Sequence, residues 1–210
     1  MKVKIKSIPL IFLMLASGCS SATTTTEPAK VTPSIKPQTK IEPAAKSATN
    51  IEPSFSMAKW EQSGGSYVAM TFVANKGGTV KSIMAKIENN NGGQQVIAFY
   101  NFEFDGDDFF STCSTDDFNK TPSDGGYSYT SSSIWNINGA NVKMFTQCMT
   151  DTDSPYLRAA PLSDKAKKYV TDLFRTKEAV IVNRGAMVEK MPVSAVGFLD
   201  AWNSSGGDAI

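Results

Sequence analysis

The chain has 210 residues, of which 41% are hydrophobic, and a formal net charge of +1, values that fit one globular domain with extensions. Residues 1–52 carry 7 basic and 3 acidic side chains and the remainder carries 14 basic and 17 acidic ones, so the larger part lacks the positive surface that DNA or RNA binding requires. Histidine is absent, which excludes Ser-His-Asp catalysis, Cys-His catalysis and zinc sites built on histidine.

The N-terminus has the three parts of an export signal. Three lysines in residues 2–6 form its positive region, and residues 8–16 form an apolar stretch that is too short to span a bilayer as a helix. Small residues then lead directly to Cys19. Residues 1–18 are therefore predicted to be a signal peptide.

The segment Leu15-Ala16-Ser17-Gly18-Cys19 resembles the lipobox of bacterial lipoproteins, in which the chain is cleaved before the cysteine and the thiol carries lipid. Ala16 stands where this pattern usually has leucine, with Leu15 one place earlier. The resemblance implies a lipid anchor on Cys19. Since Ser20 rather than an aspartate follows, it also implies sorting to the outer membrane in enteric-type bacteria. The alternative is an ordinary cleaved signal peptide with an incidental cysteine.

Residues 20–53 mix proline, alanine, lysine, threonine and serine with very few large apolar residues. Such a segment cannot bury enough apolar surface to offset the entropy of ordering it. Residues 19–53 are therefore predicted to be a lipidated cysteine followed by a disordered tether. Residues 54–210 are predicted to be the globular domain.

The two remaining cysteines, Cys113 and Cys148, make an even pair once Cys19 is assigned to the lipid. An exported protein lies in an oxidising compartment, where disulfides persist. We therefore predict a Cys113–Cys148 disulfide, with two buried free thiols as the alternative.

Alternation of apolar and polar residues with a period of two marks the first strands of the domain. These strands are predicted over residues 66–74, 79–87 and 95–104. Further along, Asn138-Gly139 lies between two alternating arms, which is typical of a type I′ hairpin with a two-residue loop. That loop would pair Ile137 with Ala140 and Trp135 with Val142.

One helix is predicted over residues 163–176, because an apolar stripe at helical spacing follows Pro161 and Ser163 can cap its first turn. Two closing strands are predicted over residues 178–183 and 193–198. About seven strands and one helix indicate a mainly β fold, an antiparallel β-sandwich or open barrel with one packed α-helix.

Carboxylates are concentrated at Asp105, Asp107 and Asp108, in a loop that follows the third strand. Oxygen-rich loops can hold calcium, and a pair of carboxylates can act as acid and base on a glycan. The spacing does not match the EF-hand loop, which needs glycine at its sixth position. These residues are therefore weak candidates, and a solvated acidic turn is the preferred interpretation. No metal, cofactor or catalytic residue is predicted.

Tyr127, Tyr129 and Trp135 lie in or beside a segment rich in glycine and serine, residues 123–133. Aromatic rings among small polar residues suit a surface that contacts carbohydrate or protein. The preferred alternative places Trp135 in the core and the two tyrosines on the sheet.

The closing residues, 169–202, run from an amphipathic helix through a strand to Gly197-Phe198, with Ala201 three residues later. This order is similar to the end of the invasion-associated locus B family and of small type VI secretion accessory proteins. The resemblance implies an exported, β-rich protein with a non-enzymatic role in the cell envelope.

Three functions follow from these features. The first is a lipid-anchored, non-catalytic outer-membrane protein, facing the periplasm or the cell surface, that binds an envelope protein partner or assembles or protects a surface structure. The second is a module that binds carbohydrate or peptidoglycan, and the third is a carboxylate-based hydrolase.

Overall fold

The computed structural model describes residues 55–74, 78–90, 92–184 and 190–208. Within these ranges the chain is mainly β, with twelve strands and two α-helices. The strands are β1 (Phe55–Met57), β2 (Glu61–Ser63), β3 (Ser66–Ala74), β4 (Val80–Asn89), β5 (Gln95–Asp105), β6 (Asp108–Phe110), β7 (Asn119–Ser123), β8 (Gly126–Ile137), β9 (Ala140–Met149), β10 (Tyr156–Pro161), β11 (Ala179–Asn183) and β12 (Met191–Ser194). The helices are α1 (Asp164–Thr176) and α2 (Phe198–Ser204).

All strands join one antiparallel sheet in the order β1-β3-β4-β5-β10-β9-β8-β11-β12, with β2, β6 and β7 paired at its margins. The sheet curls until β12 lies beside β1 and β3. There the Thr71 hydroxyl donates to the Pro192 carbonyl at 2.6 Å. The backbone N–H of Trp60 donates to the Val196 carbonyl at 2.9 Å. The mainly β prediction is confirmed, and of its two architectures the chain adopts the open barrel.

The predicted hairpin between β8 and β9 is confirmed in register. Ile137 pairs with Ala140 and Trp135 pairs with Val142. Asn138 and Gly139 have φ values of 47° and 86°, the positive values that a type I′ turn requires at both central positions.

Helix α1 begins where the capping signal predicts. The Ser163 hydroxyl accepts a hydrogen bond from the Ala166 N–H at 3.2 Å, which satisfies one free donor of the first turn. Val170 and Phe174 are buried, so the apolar stripe of the helix faces the interior of the barrel.

Two predictions about the elements are wrong. The closing strand predicted over residues 193–198 ends at Ser194, because Gly197 takes a left-handed φ of 82° and Phe198 begins a second helix. The count of about seven strands is also too low, since β1, β2 and β6 have only three residues each and leave little periodic pattern to detect.

Aromatic rings fill the barrel at the end closed by the two helices. The ring centres of contacting pairs are 5.3 to 6.4 Å from each other. The series contains Trp202, Phe198, Trp60, Phe174, Phe99 and Trp135. These rings form one connected cluster that ends at Trp135, within a core that also contains many aliphatic side chains.

The predicted disulfide between Cys113 and Cys148 is present, with 5.8 Å between the two Cα atoms. It links the segment after β6 to β9 across 35 residues of chain. Closing a loop of this length stabilises a fold by about 3–4 kcal/mol on the chain-entropy model.

The signal peptide, Cys19 and the tether lie outside the described residues. In the described part of the chain, neither helix is long and apolar enough to cross a membrane.

We expect Gly197→Ala to lower the free energy of unfolding by about 2–3 kcal/mol, because alanine is strained at this φ and its Cβ would lie 3.2 Å from the Trp60 carbonyl oxygen. Gly64 is the matched control, since its φ is 56° and a Cβ there would meet nothing within 4 Å. Gly64→Ala should cost only about 1 kcal/mol. Urea unfolding measures both, and equal losses would contradict a role for the close approach to Trp60.

Candidate functional site

Along β8, the side chains that face the barrel interior change from apolar to hydroxyl-bearing. Ile137 and Trp135 are buried, and Ser133 and Ser131 follow on the same face because strand side chains alternate. On the neighbouring strand β9, Thr146 pairs with Ser131 and is also buried. The end of the barrel away from the helices is therefore polar inside.

A cleft of about 580 Å³ opens at this polar end, a size common for small-molecule sites. Six of its lining residues carry hydroxyl groups: Ser111, Thr112, Ser114, Ser131, Ser133 and Thr146. The rest of the lining consists of Phe118, Ile134, Leu157, Trp135, Cys113, Asp117 and Arg184. The site thus combines hydroxyl groups, an apolar wall and two charged side chains.

One wall of the cleft is fastened to the sheet by Thr112 and the disulfide. The Thr112 hydroxyl donates to the Asn101 carbonyl at 2.9 Å and accepts from the Leu157 N–H at 3.0 Å. The next residue, Cys113, is covalently joined to Cys148 of β9. These bonds hold the segment after β6 across the open end, which gives the cleft a preformed shape.

Arg184 brings a positive charge into the cleft. On β11, Val180 and Val182 face the interior, and the alternation continues to Arg184 directly after the strand. Its guanidinium carbon lies 5.8 Å from the centre of the Trp135 ring, within cation–π range. Burial lowers the pKa of Arg184, since a guanidinium withdrawn from water is less stable in its charged form.

Three buried polar atoms at the cleft have no hydrogen-bond partner among the described residues. They are Nε1 of Trp135, Oγ of Ser133 and Nη1 of Arg184. A buried indole N–H usually has a partner, and leaving such a donor unsatisfied costs about 1–3 kcal/mol. The arrangement can donate hydrogen bonds to the oxygen atoms of a ligand.

The three predicted aromatic residues lie on one face of β8 but not in one site. Trp135 is 1% exposed and borders the cleft, as the preferred alternative placed it in the core, whereas Tyr127 is 55% exposed. Tyr127 and Tyr129 contact Lys120 of β7, whose Nζ lies 3.9 Å and 6.0 Å from the two ring centres. Eight residues of strand separate Tyr127 from Trp135, about 26 Å, so a small ligand cannot contact both.

The predicted acidic residues lie in an exposed hairpin between β5 and β6. Asp105 pairs with Asp108, and Asp107 is in the turn between them. In the ranges that the structure describes, no three Cys, His, Asp or Glu side chains are grouped so that they could hold a metal ion. Of the described carboxylates, only Asp117 lines the cleft.

A second polar cluster, on the outer face of β4, β5 and β10, has its groups paired. Arg158 donates to Oε2 of Glu88 from Nη2 at 2.6 Å and from Nε at 3.1 Å, and the Tyr100 hydroxyl donates to Oε1. Beside it, burial and a hydrogen bond to Asp151 raise the pKa of Tyr156 to about 12. This cluster joins strands, whereas the cleft presents unpaired donors.

Sequence reasoning missed Arg184, Ser131 and Ser133 as site residues. A signal for Arg184 exists, because it continues the period-two series Val180, Val182 by one step. Ser133 and Ser131 continue the period-two series of Ile137 and Trp135 in the same way, but a serine does not itself indicate a buried face.

Comparison of the chain with protein families, with curated proteins and with solved structures found no match. The similarity of residues 169–202 to the invasion-associated locus B family and to type VI secretion accessory proteins therefore stays a prediction.

Proposed function

We propose that this chain is an exported, lipid-anchored, non-catalytic binding protein of the cell envelope that takes a sugar-like ligand into its barrel cleft. The observation that carries the proposal is the buried indole N–H of Trp135, which borders a hydroxyl-lined cleft and has no hydrogen-bond partner among the described residues.

The lining of the cleft suits a polyhydroxylated ring. Sugar hydroxyls both donate and accept hydrogen bonds, as do the serine and threonine side chains of the cleft. The C–H faces of a sugar pack well on apolar and aromatic side chains, here Phe118 and Ile134. A few polar groups placed in a partly apolar cleft are the usual basis of small-molecule recognition.

The chemistry of the lining favours binding over catalysis. Glycoside hydrolysis ordinarily uses a pair of carboxyl groups on either side of the bond, and Asp117 is the one carboxylate in the described lining. Asp105, Asp107 and Asp108 belong to an exposed hairpin instead. Since the sequence contains no histidine, the commonest alternative base is also missing.

The proposed anchor places the cleft near glycans of the envelope. Several acyl chains on Cys19 would hold the protein stably in the outer membrane, because a single chain gives only marginal binding. An extended tether over residues 20–53 would allow the domain a reach on the order of 100 Å.

We expect Trp135→Phe to weaken glycan binding about tenfold, because phenylalanine keeps the ring in the core but removes the N–H donor. Calorimetric titration with disaccharide fragments of peptidoglycan and with oligomers of N-acetylglucosamine measures the change. Trp202→Phe is the control, since Trp202 lies at the far end of the aromatic cluster and its Nε1 donates to Asp208. If the wild-type chain binds none of these glycans, the proposal fails.

The anchor has its own test in cell fractionation. Cys19→Ala should abolish palmitate labelling and release the protein from the membrane fraction, because the acylated thiol is removed. Ser20→Asp should keep the label but move the protein to the inner membrane. If the wild-type chain is exported without palmitate label, the lipid anchor is disproved. The proposal that the cleft binds a sugar would not be affected.

A second candidate function, docking of an envelope protein, is favoured by aromatic exposure at the barrel margin. Phe109 is 59% exposed, and its ring lies 5.7 Å from that of Phe104, which contacts Phe72 at 6.2 Å. Aromatic residues are enriched in protein interfaces.

Phe109→Ser should lose a partner that the wild-type chain recovers from detergent-solubilised envelopes, whereas Leu199→Ser, at another exposed apolar position, should keep it. Equal recovery by both variants would reject docking at this surface.

A further inference from the structure

We infer that the cleft selects an acidic sugar, whose carboxylate pairs with Arg184. This inference rests on the proposed function, since it names the class of ligand that the same cleft takes.

The other two arginines of the chain are both paired with carboxylates. Arg158 makes two hydrogen bonds to Glu88, and Arg175 makes two to Asp208, at 2.6 and 2.8 Å. Arg184 is the exception among the three, because no carboxylate of the described residues lies within 4.0 Å of it. Among the described residues its charge has no anionic partner, and a ligand can supply one.

The position of Arg184 makes an unpaired charge costly. Its side chain continues the inward face of β11, and its Nη1 is buried without a hydrogen-bond partner among the described residues. A partly desolvated cation gains from an anion more than a solvated one does, because water screens it less. The same loss of hydration lowers the pKa of Arg184, because it makes the charged guanidinium less stable.

Several neighbours define the shape of the anion that fits. The guanidinium is planar and matches a carboxylate with two parallel N–H···O bonds. Trp135 and Ser133 supply two more buried polar atoms beside it, which can hydrogen-bond to ring or hydroxyl oxygens. One charged group with several hydroxyl groups suits a sugar acid better than a neutral sugar or a bare inorganic ion.

The remaining charge of the lining, Asp117, opposes an anion but only weakly. Its side chain is exposed at the end of the 3-10 turn Thr115–Asp117, where water and salt screen its field. It does not form an ion pair with Arg184. Removing its charge should therefore strengthen binding of an acidic ligand slightly.

The test compares two disaccharides that differ by one lactyl ether group, which carries a carboxylate. N-Acetylglucosaminyl-N-acetylmuramic acid carries a lactyl carboxylate that di-N-acetylchitobiose lacks. Titration of the full-length protein in detergent should give about 10- to 100-fold tighter binding of the acidic disaccharide, the usual effect of a hydrogen-bonded charge pair. Arg184→Gln should remove this preference, so that the acidic disaccharide binds no more tightly than the neutral one. Asp117→Asn should raise the affinity for the acidic disaccharide by about twofold.

The outcomes separate this inference from the proposed function. Equal binding of both disaccharides by the wild-type chain overturns the selectivity and leaves sugar binding standing. Binding of neither overturns both. Competition by inorganic phosphate at equal concentration would show a general oxyanion site and overturn the assignment to a sugar acid. An unfolding temperature of Arg184→Gln no lower than that of the wild-type chain shows that lost selectivity is not lost folding.

Discussion

The fold depends on covering the concave side of one strongly curved sheet with aromatic rings. Helices α1 and α2 bring Phe174 and Phe198 into this space, where both contact Trp60 at 5.4 and 5.3 Å. The backbone of Trp60 also bonds to Val196, at the seam where the sheet closes. Packing of the core and closure of the sheet therefore share one residue, and Gly197 allows the approach because it has no side chain.

The cleft lies beside the part of β8 where the interior side chains change from apolar to hydroxyl-bearing. Trp135 is the last ring of the cluster and also part of the cleft lining. A tryptophan in this position gives the core its apolar body and has a buried N–H with no hydrogen-bond partner among the described residues. The same residue thus links the stability of the fold to the recognition proposed for the cleft.

Local signals predicted a large part of the fold. The Asn138-Gly139 turn determined the β8–β9 register, because both residues tolerate positive φ, and Ser163 located the start of α1. Helix α2 was missed because seven residues are too few for a periodic pattern. Arg184 was missed because an arginine directly after a strand is ordinarily interpreted as a solvent-exposed residue. Its burial is recognised only when the strand that packs opposite it is known.

The sequence by itself determined the β character, the main hairpin, the capped helix and the available disulfide pair, since each depends on residues near one another or on a count of cysteines. Only the tertiary structure decided that the sheet curls, that α2 and Gly197 close one end, and that Arg184 meets Trp135 and Ser133 at the other. These features depend on strands far apart in the chain, whose pairing is chosen by how the whole inner face packs.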